Sequence, residues 1–211
     1  MDINPGFHGD DYLRKVVWFC LRKSKYFVET GMAFGNSLMA VCNHFPSVKP
    51  FSCEPSKKYD AAIKRFTKIP RVTILNKESP DALYDFLEMQ PNMASHNTVF
   101  WLDAHDDSGK FIWPLRKEIE FITSKFSRPF IFIDDFLVPG KRKFGYDSYH
   151  GQACSFDYIE DSIKVEGFNL VYPAYTERTS KHHPLRGWCL IEYGHCDFKL
   201  KQKFRVESTV R

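Results

Sequence analysis

Several things are missing from these 211 residues, and each absence closes a class of function. No run of about 18 consecutive apolar residues occurs, so no stretch reads as a membrane-spanning helix. The opening MDINPGFHGDDYLRK lacks the basic-then-apolar pattern of a secretory leader, which sets the expectation of a soluble, cytoplasmic protein. None of the cysteines (Cys20, Cys42, Cys53, Cys154, Cys189, Cys196) forms a C-x-x-C pair, and reduced thiols are expected. His182, His183, Cys189, His195 and Cys196 bring soft donors, but their spacing fits no common zinc pattern. There is no G-x-G-x-x-G and no phosphate loop ending in Lys-Ser/Thr, so a dinucleotide pyrophosphate is not the natural guest. A formal charge of +4 with 27% charged residues falls short of the clustered excess that phosphate backbones demand, and nucleic acid is disfavoured as a partner. No internal repeat, low-complexity tract or linker interrupts the chain.

What is present is an alternation of short β-rich runs with longer amphipathic ones, and 43% hydrophobic residues are enough for one good core. Strands are predicted over Tyr26 to Glu29, Pro50 to Cys53, Arg71 to Leu75, Thr98 to Leu102, Pro129 to Ile133, Leu170 to Tyr172 and Trp188 to Glu192. Continuous apolar runs such as VFWL and FIFI suit strands buried on both faces of a parallel sheet. Helices are predicted over Asn36 to His44, Ser56 to Thr67, Pro80 to Glu88 and Pro114 to Phe126, with an additional leading helix over Asp11 to Arg22. The pattern predicts an α/β fold, a Rossmann-like doubly wound sheet, mostly parallel. The polar loop PAYTERTSKHHPLRG has no helix, so the strand after it should be antiparallel. Residues 1–25 form a helical extension, 26–196 the main domain, and 197–211 a basic strand or tail.

Two constellations carry chemistry. The first is ETGMAFGNS after the first strand. Gly31 and Gly35 permit positive φ and close backbone approach, while Asn36 and Ser37 open a helix with free N–H groups. Glu54 closes the second strand, where an acid accepts hydrogen bonds from ribose hydroxyls. Together these imply a ribose-bearing ligand with little phosphate. The second constellation is Asp103-Ala104-His105 after VFWL and Asp134-Asp135 after FIFI. Parallel strands place their carboxyl ends on one edge, and three converging carboxylates repel one another unless a cation sits among them. Oxygen donors of this kind suit Mg²⁺, Mn²⁺ or Ca²⁺.

The order ETGMAFGNSL, CEP, WLDAH and IDDF resembles the class I S-adenosylmethionine-dependent methyltransferases, closest to the metal-dependent macrocin and mycinamicin-type sugar O-methyltransferases. The similarity covers about Tyr26 to Tyr193. It implies a class I methyltransferase fold ending in an antiparallel strand, with Glu29, Gly31 and Gly35 against the methionine part of the cofactor and Glu54 on the ribose. Glu78 and Ser79 are candidates for the adenine side. Asp103, Asp134 and Asp135 match the metal positions, with Asp103 also beside the cofactor. The activity implied is divalent-metal-assisted O-methylation of a small hydroxylated acceptor, sugar or catechol-like. Asp103 or His105 would take the proton, or His105 would orient a carboxylate. Acceptor recognition falls to Asp11 to Arg22, to VPGKRKFGYDSYHGQ with Tyr146, Asp147, Tyr149 and His150, and to the TERTSKHHPLRG loop. No Asn-Pro-Pro-Tyr-like segment of amino-methylating DNA enzymes is present. The rival readings are a cofactor-binding protein without catalysis, an NAD-linked enzyme, and a methyltransferase-like lyase or hydroxylase. A homo-oligomer is left open.

Overall fold

A computed structural model describes residues 6–105, 113–181, 183–194 and 203–208. In chain order its main elements are α1 (Asp11–Leu21), β1 (Tyr26–Thr30), α2 (Asn36–His44), β2 (Lys49–Cys53), α3 (Asp60–Lys64), β3 (Thr73–Leu75), α4 (Ser79–Met89), β4 (Thr98–Leu102), α5 (Leu115–Lys125), β5 (Pro129–Asp134), a small hairpin of β6 (Ser148–Tyr149) and β7 (Gln152–Ala153), α6 (Phe156–Ile159), β8 (Asn169–Pro173), β9 (Trp188–Glu192) and β10 (Phe204–Ser208). The eight-stranded sheet runs β10-β8-β9-β5-β4-β1-β2-β3. Pairing is parallel from β3 through β5, and β9 is antiparallel to both β5 and β8. This is the doubly wound sheet expected from the alternating pattern, with the antiparallel strand that the methyltransferase resemblance implied. Every residue of β1, β4 and β9 is buried, which is why apolar runs such as VFWL in β4 and WCLI in β9 show no alternation.

The details depart from expectation at two places. The helix predicted over Ser56 to Thr67 is a 3₁₀ turn at Lys57–Tyr59 followed by the five residues of α3. Arg65 reaches the Phe34 carbonyl and Phe66 packs beneath Gly35, so tertiary contacts end the helix before the amphipathic pattern does. Strand β3 begins at Thr73 rather than Arg71, whose guanidinium instead binds the Val48 and Cys42 carbonyls. Within the segment 197–211, Phe204–Ser208 form β10, an edge strand antiparallel to β8. Cys20, Cys42, Cys53, Cys154 and Cys189 are free and buried, behaving as small hydrophobes. His182, His195 and Cys196 lie outside the described residues.

The chain ahead of α1 is part of the core. Phe7 is 1% exposed and meets Trp18, Phe27 and Trp101 edge-on at centroid distances of 5.5, 6.4 and 5.0 Å. Its N–H donates to Ser37 Oγ at 3.0 Å, and Asp10 caps α1 by accepting from the Tyr12 and Leu13 N–H groups. Phe7→Ala is therefore expected to cost about 3–5 kcal/mol in urea unfolding; a loss under about 1 kcal/mol would mean that the segment does not belong to the folded unit.

Candidate functional site

The parallel register fixes the site. Thr30 is level with Cys53 and Leu102, and Leu102 with Ile133. The next residues, Gly31, Glu54, Asp103 and Asp134, consequently form one row along the carboxyl edge of the sheet. Gly31 has φ 74°, and a Cβ there would stand 2.3 Å from the Asp103 carbonyl oxygen, so only glycine lets the two loops touch. Glu54 ties the next loops together: its Oε2 accepts from the Ala33 N–H at 2.8 Å and its Oε1 from the Ser56 N–H at 2.9 Å.

These loops enclose a cavity of about 670 Å³ bordered by Gly31, Glu54, Tyr59, Glu78, Ser79 and Asp103. That volume lies in the range of sites for ligands the size of a nucleoside with a side chain. Of the sequence-predicted cofactor residues, Glu29, Gly35, Asn36 and Ser37 do not border it. Gly35 faces Phe66, whose ring would stand 2.7 Å from an added Cβ. Asn36 and Ser37 instead pack against Gly6 and Phe7, so the start of α2 is occupied by the chain's own N-terminal segment. Glu29 is buried beneath the loop, where burial pushes its carboxyl up to about 8 while Ser52 Oγ donates to it at 2.8 Å.

Beside the cavity the acids meet three basic groups. His105 Nε2 lies 2.8 Å from Asp103 Oδ1, and its Nδ1 lies 3.0 Å from Asp147 Oδ2 and 3.2 Å from the Tyr149 hydroxyl. Burial opposes its charge, but the hydrogen bonds it donates to both aspartates outweigh it and push the imidazole up to about 12. His8 Nε2 lies 2.8 and 2.7 Å from the two oxygens of Asp134, again overcoming burial, and is held up to about 9. Asp135 stands between them at φ 48°, its Oδ2 4.0 Å from His105 Nε2 and its Oδ1 3.2 Å from Arg186 Nε. Burial, then Asp134 and Asp147, push Asp135 up to about 7.

Among the described residues, metal-ligand atoms lie within 4.8 Å of one another in two groups, His8 with Asp134 and Asp135, and His105 with Asp135 and Asp147. Asp134 and Asp135 thus sit together as the sequence suggested, whereas Asp103 is turned to His105. His8, Asp147 in this role, Arg186 and Glu118 were missed as site residues. Asp147 and Tyr149 lay in a stretch singled out for acceptor contacts; His8 carried only its flanking glycines as a signal, and these do not mark a site.

No family model matches the chain, and no curated protein matches it in sequence. Solved structures do. Spermidine synthase from Thermotoga maritima superposes with a TM-score of 0.57 at 15% identity, over 93% of this chain and 64% of that one. A protein from Staphylococcus aureus described as a caffeoyl-CoA O-methyltransferase gives a TM-score of 0.58 at 14% identity, over 87% and 82% of the two chains. A protein from Streptococcus mutans described as a methyltransferase, in complex with SAH, gives a TM-score of 0.52 at 10% identity, over 85% and 96%. The chain therefore spans less than two thirds of the spermidine synthase. At these identities the likeness establishes the fold, and chemistry must be argued from the site.

Glu118 on α5 adds a titratable group behind the cavity. It is 1% exposed and neither carboxyl oxygen has a well-formed hydrogen bond, although the Ser79 and Thr30 hydroxyls are close by. Burial raises it from 4.5 to about 7. A carboxyl raised in the folded state contributes stability that is full below the unfolded value and lost as pH rises through the folded one. Glu118→Gln is thus expected to match the wild type near pH 4 and to exceed its melting temperature at pH 8, flattening the intervening slope. An unchanged slope would show that the carboxyl is not desolvated.

Proposed function

We propose that the chain is an S-adenosylmethionine-dependent O-methyltransferase acting on a small hydroxylated acceptor, sugar or catechol-like, with a divalent cation at the acid edge. The observation that supports this most directly is a nucleoside-sized cavity, floored by Gly31 and Glu54 and bordered by Asp103 and His105, with His105 in turn 4.0 Å from the buried Asp135 carboxylate. The donor chemistry fits both groups: Glu54 has carboxylate oxygens for a ribose, and the buried Asp135 Oδ1 has no hydrogen-bond donor of its own. Bound S-adenosylmethionine supplies an electrophilic methyl group. A divalent ion of the Mg²⁺, Mn²⁺ or Ca²⁺ kind supplies positive charge that lowers the pKa of an acceptor hydroxyl and fixes its direction.

The chain's own residues do the rest. The rigid row from Gly31 to Asp134 holds acceptor and cofactor sites at fixed separation, the positional part of catalysis. His105, clamped between two aspartates, acts as a charged donor that orients Asp103 rather than as the proton acceptor. Asp103 would then be the carboxylate that takes the proton of the acceptor hydroxyl. The 138–152 stretch, through Asp147 and Tyr149 beside His105, would contact the acceptor. Among the described residues no helix is long and apolar enough to cross a membrane, and with five buried free thiols this supports a cytoplasmic setting. A methyltransferase-like protein of other chemistry, lyase or hydroxylase, is the second reading. The observation in its favour is the pair of histidines, His8 and His105, on either side of Asp135.

Titration calorimetry with S-adenosylmethionine and S-adenosylhomocysteine is expected to show micromolar-range binding, and NAD none. Asp135→Asn is expected to leave cofactor affinity within about threefold while lowering methyl transfer to catechol or sugar acceptors by about a hundredfold or more. Absent cofactor binding, the reading fails outright.

A further inference from the structure

The N-terminal segment bears the marks of a device for placing one side chain. Four consecutive residues, Gly6, Phe7, His8 and Gly9, have φ of 78, 49, 55 and 67°. Two of them are not glycine, and L-residues adopt this conformation only where surrounding structure compels it. Compulsion is visible on both sides of His8. Phe7 is locked in the aromatic core and hydrogen-bonded to Ser37, while Asp10 caps α1 and also accepts from the Tyr175 hydroxyl. The imidazole is thereby delivered to Asp134, 126 positions away in sequence.

We infer that His8, Asp134 and Asp135 together form the cation site of this protein, and that the imidazole makes it a site for a divalent ion of the iron, cobalt or zinc class rather than for Mg²⁺ or Ca²⁺. The inference rests on reading the acid edge as a metal site and changes which ion that site takes. Three observations carry it. First, the donor atoms of the three residues all lie within 4.8 Å of one another, and His8 Nε2 stands 2.7 to 2.8 Å from the Asp134 oxygens. Adjacent donors around an ion with bonds of about 2.1 Å are separated by about 3 Å, so small movements complete the set.

Second, Asp135 is 5% exposed and its Oδ1 has no hydrogen-bond donor, the 3.2 Å approach of Arg186 Nε being an ion pair without hydrogen-bond geometry. Third, Asp134 is already oriented by the Asp135 N–H at 2.8 Å, the kind of support that metal-ligating carboxylates receive. Two carboxylates alone would suit a hard ion; the His8 nitrogen, which must give up its proton when the ion binds, shifts preference toward transition metals along the Irving–Williams order.

The test uses the full chain stripped with a chelator. Co²⁺ titration is expected to give a visible ligand-field spectrum saturating at one ion per chain, undiminished by Mg²⁺ in about tenfold excess. His8→Ala and His8→Gln, checked for folding by thermal melting, are expected to weaken Co²⁺ by about tenfold or more and to alter the spectrum, with little change toward Mg²⁺. Failure to bind Co²⁺, equal competition by Mg²⁺, or His8 variants that bind Co²⁺ as the wild type does would each overturn the inference. Calorimetry with S-adenosylmethionine on the same metal-free protein separates the two readings. Cofactor binding without a metal site leaves the methyltransferase reading standing and removes this one. A metal site without cofactor binding does the reverse.

Discussion

The register of the parallel strands is the constraint on which the site depends. Because β1, β2, β4 and β5 end on one level, the residues that follow each of them share a row, and the sheet's hydrogen bonds hold their spacing. Gly31 closes that row by letting the first loop press on the carbonyl of Asp103. Glu54 then fastens two loops from below with backbone N–H bonds. A slip of one residue in any strand would turn its terminal acid into the core face and open the floor of the cavity.

Charge is balanced along the same row. Asp103, Asp134, Asp135 and Asp147 are met by His8, His105 and Arg186, each basic group placed between carboxylates or against one. Removing one partner from such a buried network leaves the others exposed to mutual repulsion, which makes the arrangement conditional on every member. That interdependence also sets its sensitivity to a ligand: an entering cation or acceptor changes the balance for all of them at once.

The central strands and the acids at their ends were legible in the sequence because two-sided burial writes unbroken apolar runs, and the acid after each run then stands out. Asp134 and Asp135 were found this way. His8 was not, since nothing local distinguishes FHG from any turn and its partner is 126 positions distant. The helix expected from Ser56 failed for a related reason, its pattern being cut short by Arg65 and Phe66 turning toward the first loop. At the start of α2 the free N–H groups were foreseen, but not that the chain's own Gly6 and Phe7 would pack on Asn36 and Ser37. Local pattern reports what an element buries, and it is silent on which distant segment arrives there.

The distribution of strain points the same way as the residues do. Among the described residues the non-glycine positions with positive φ are Phe7, His8, Ala33, Asp135 and His150. Phe7 and His8 lead to Asp134, Ala33 binds Glu54, Asp135 joins the acid cluster, and His150 turns the hairpin that presents Asp147 and Tyr149. Buried carboxyls raised by desolvation, Glu29, Glu118, Asp134 and Asp135, gather at the same end of the sheet. A fold selected for stability alone has no reason to collect costly conformations and buried acids at one edge while the opposite edge carries none of those positive-φ residues. Strain and buried carboxyls gathered at one edge are what a site preorganised for a charged ligand requires, since the ligand then meets groups already held in place.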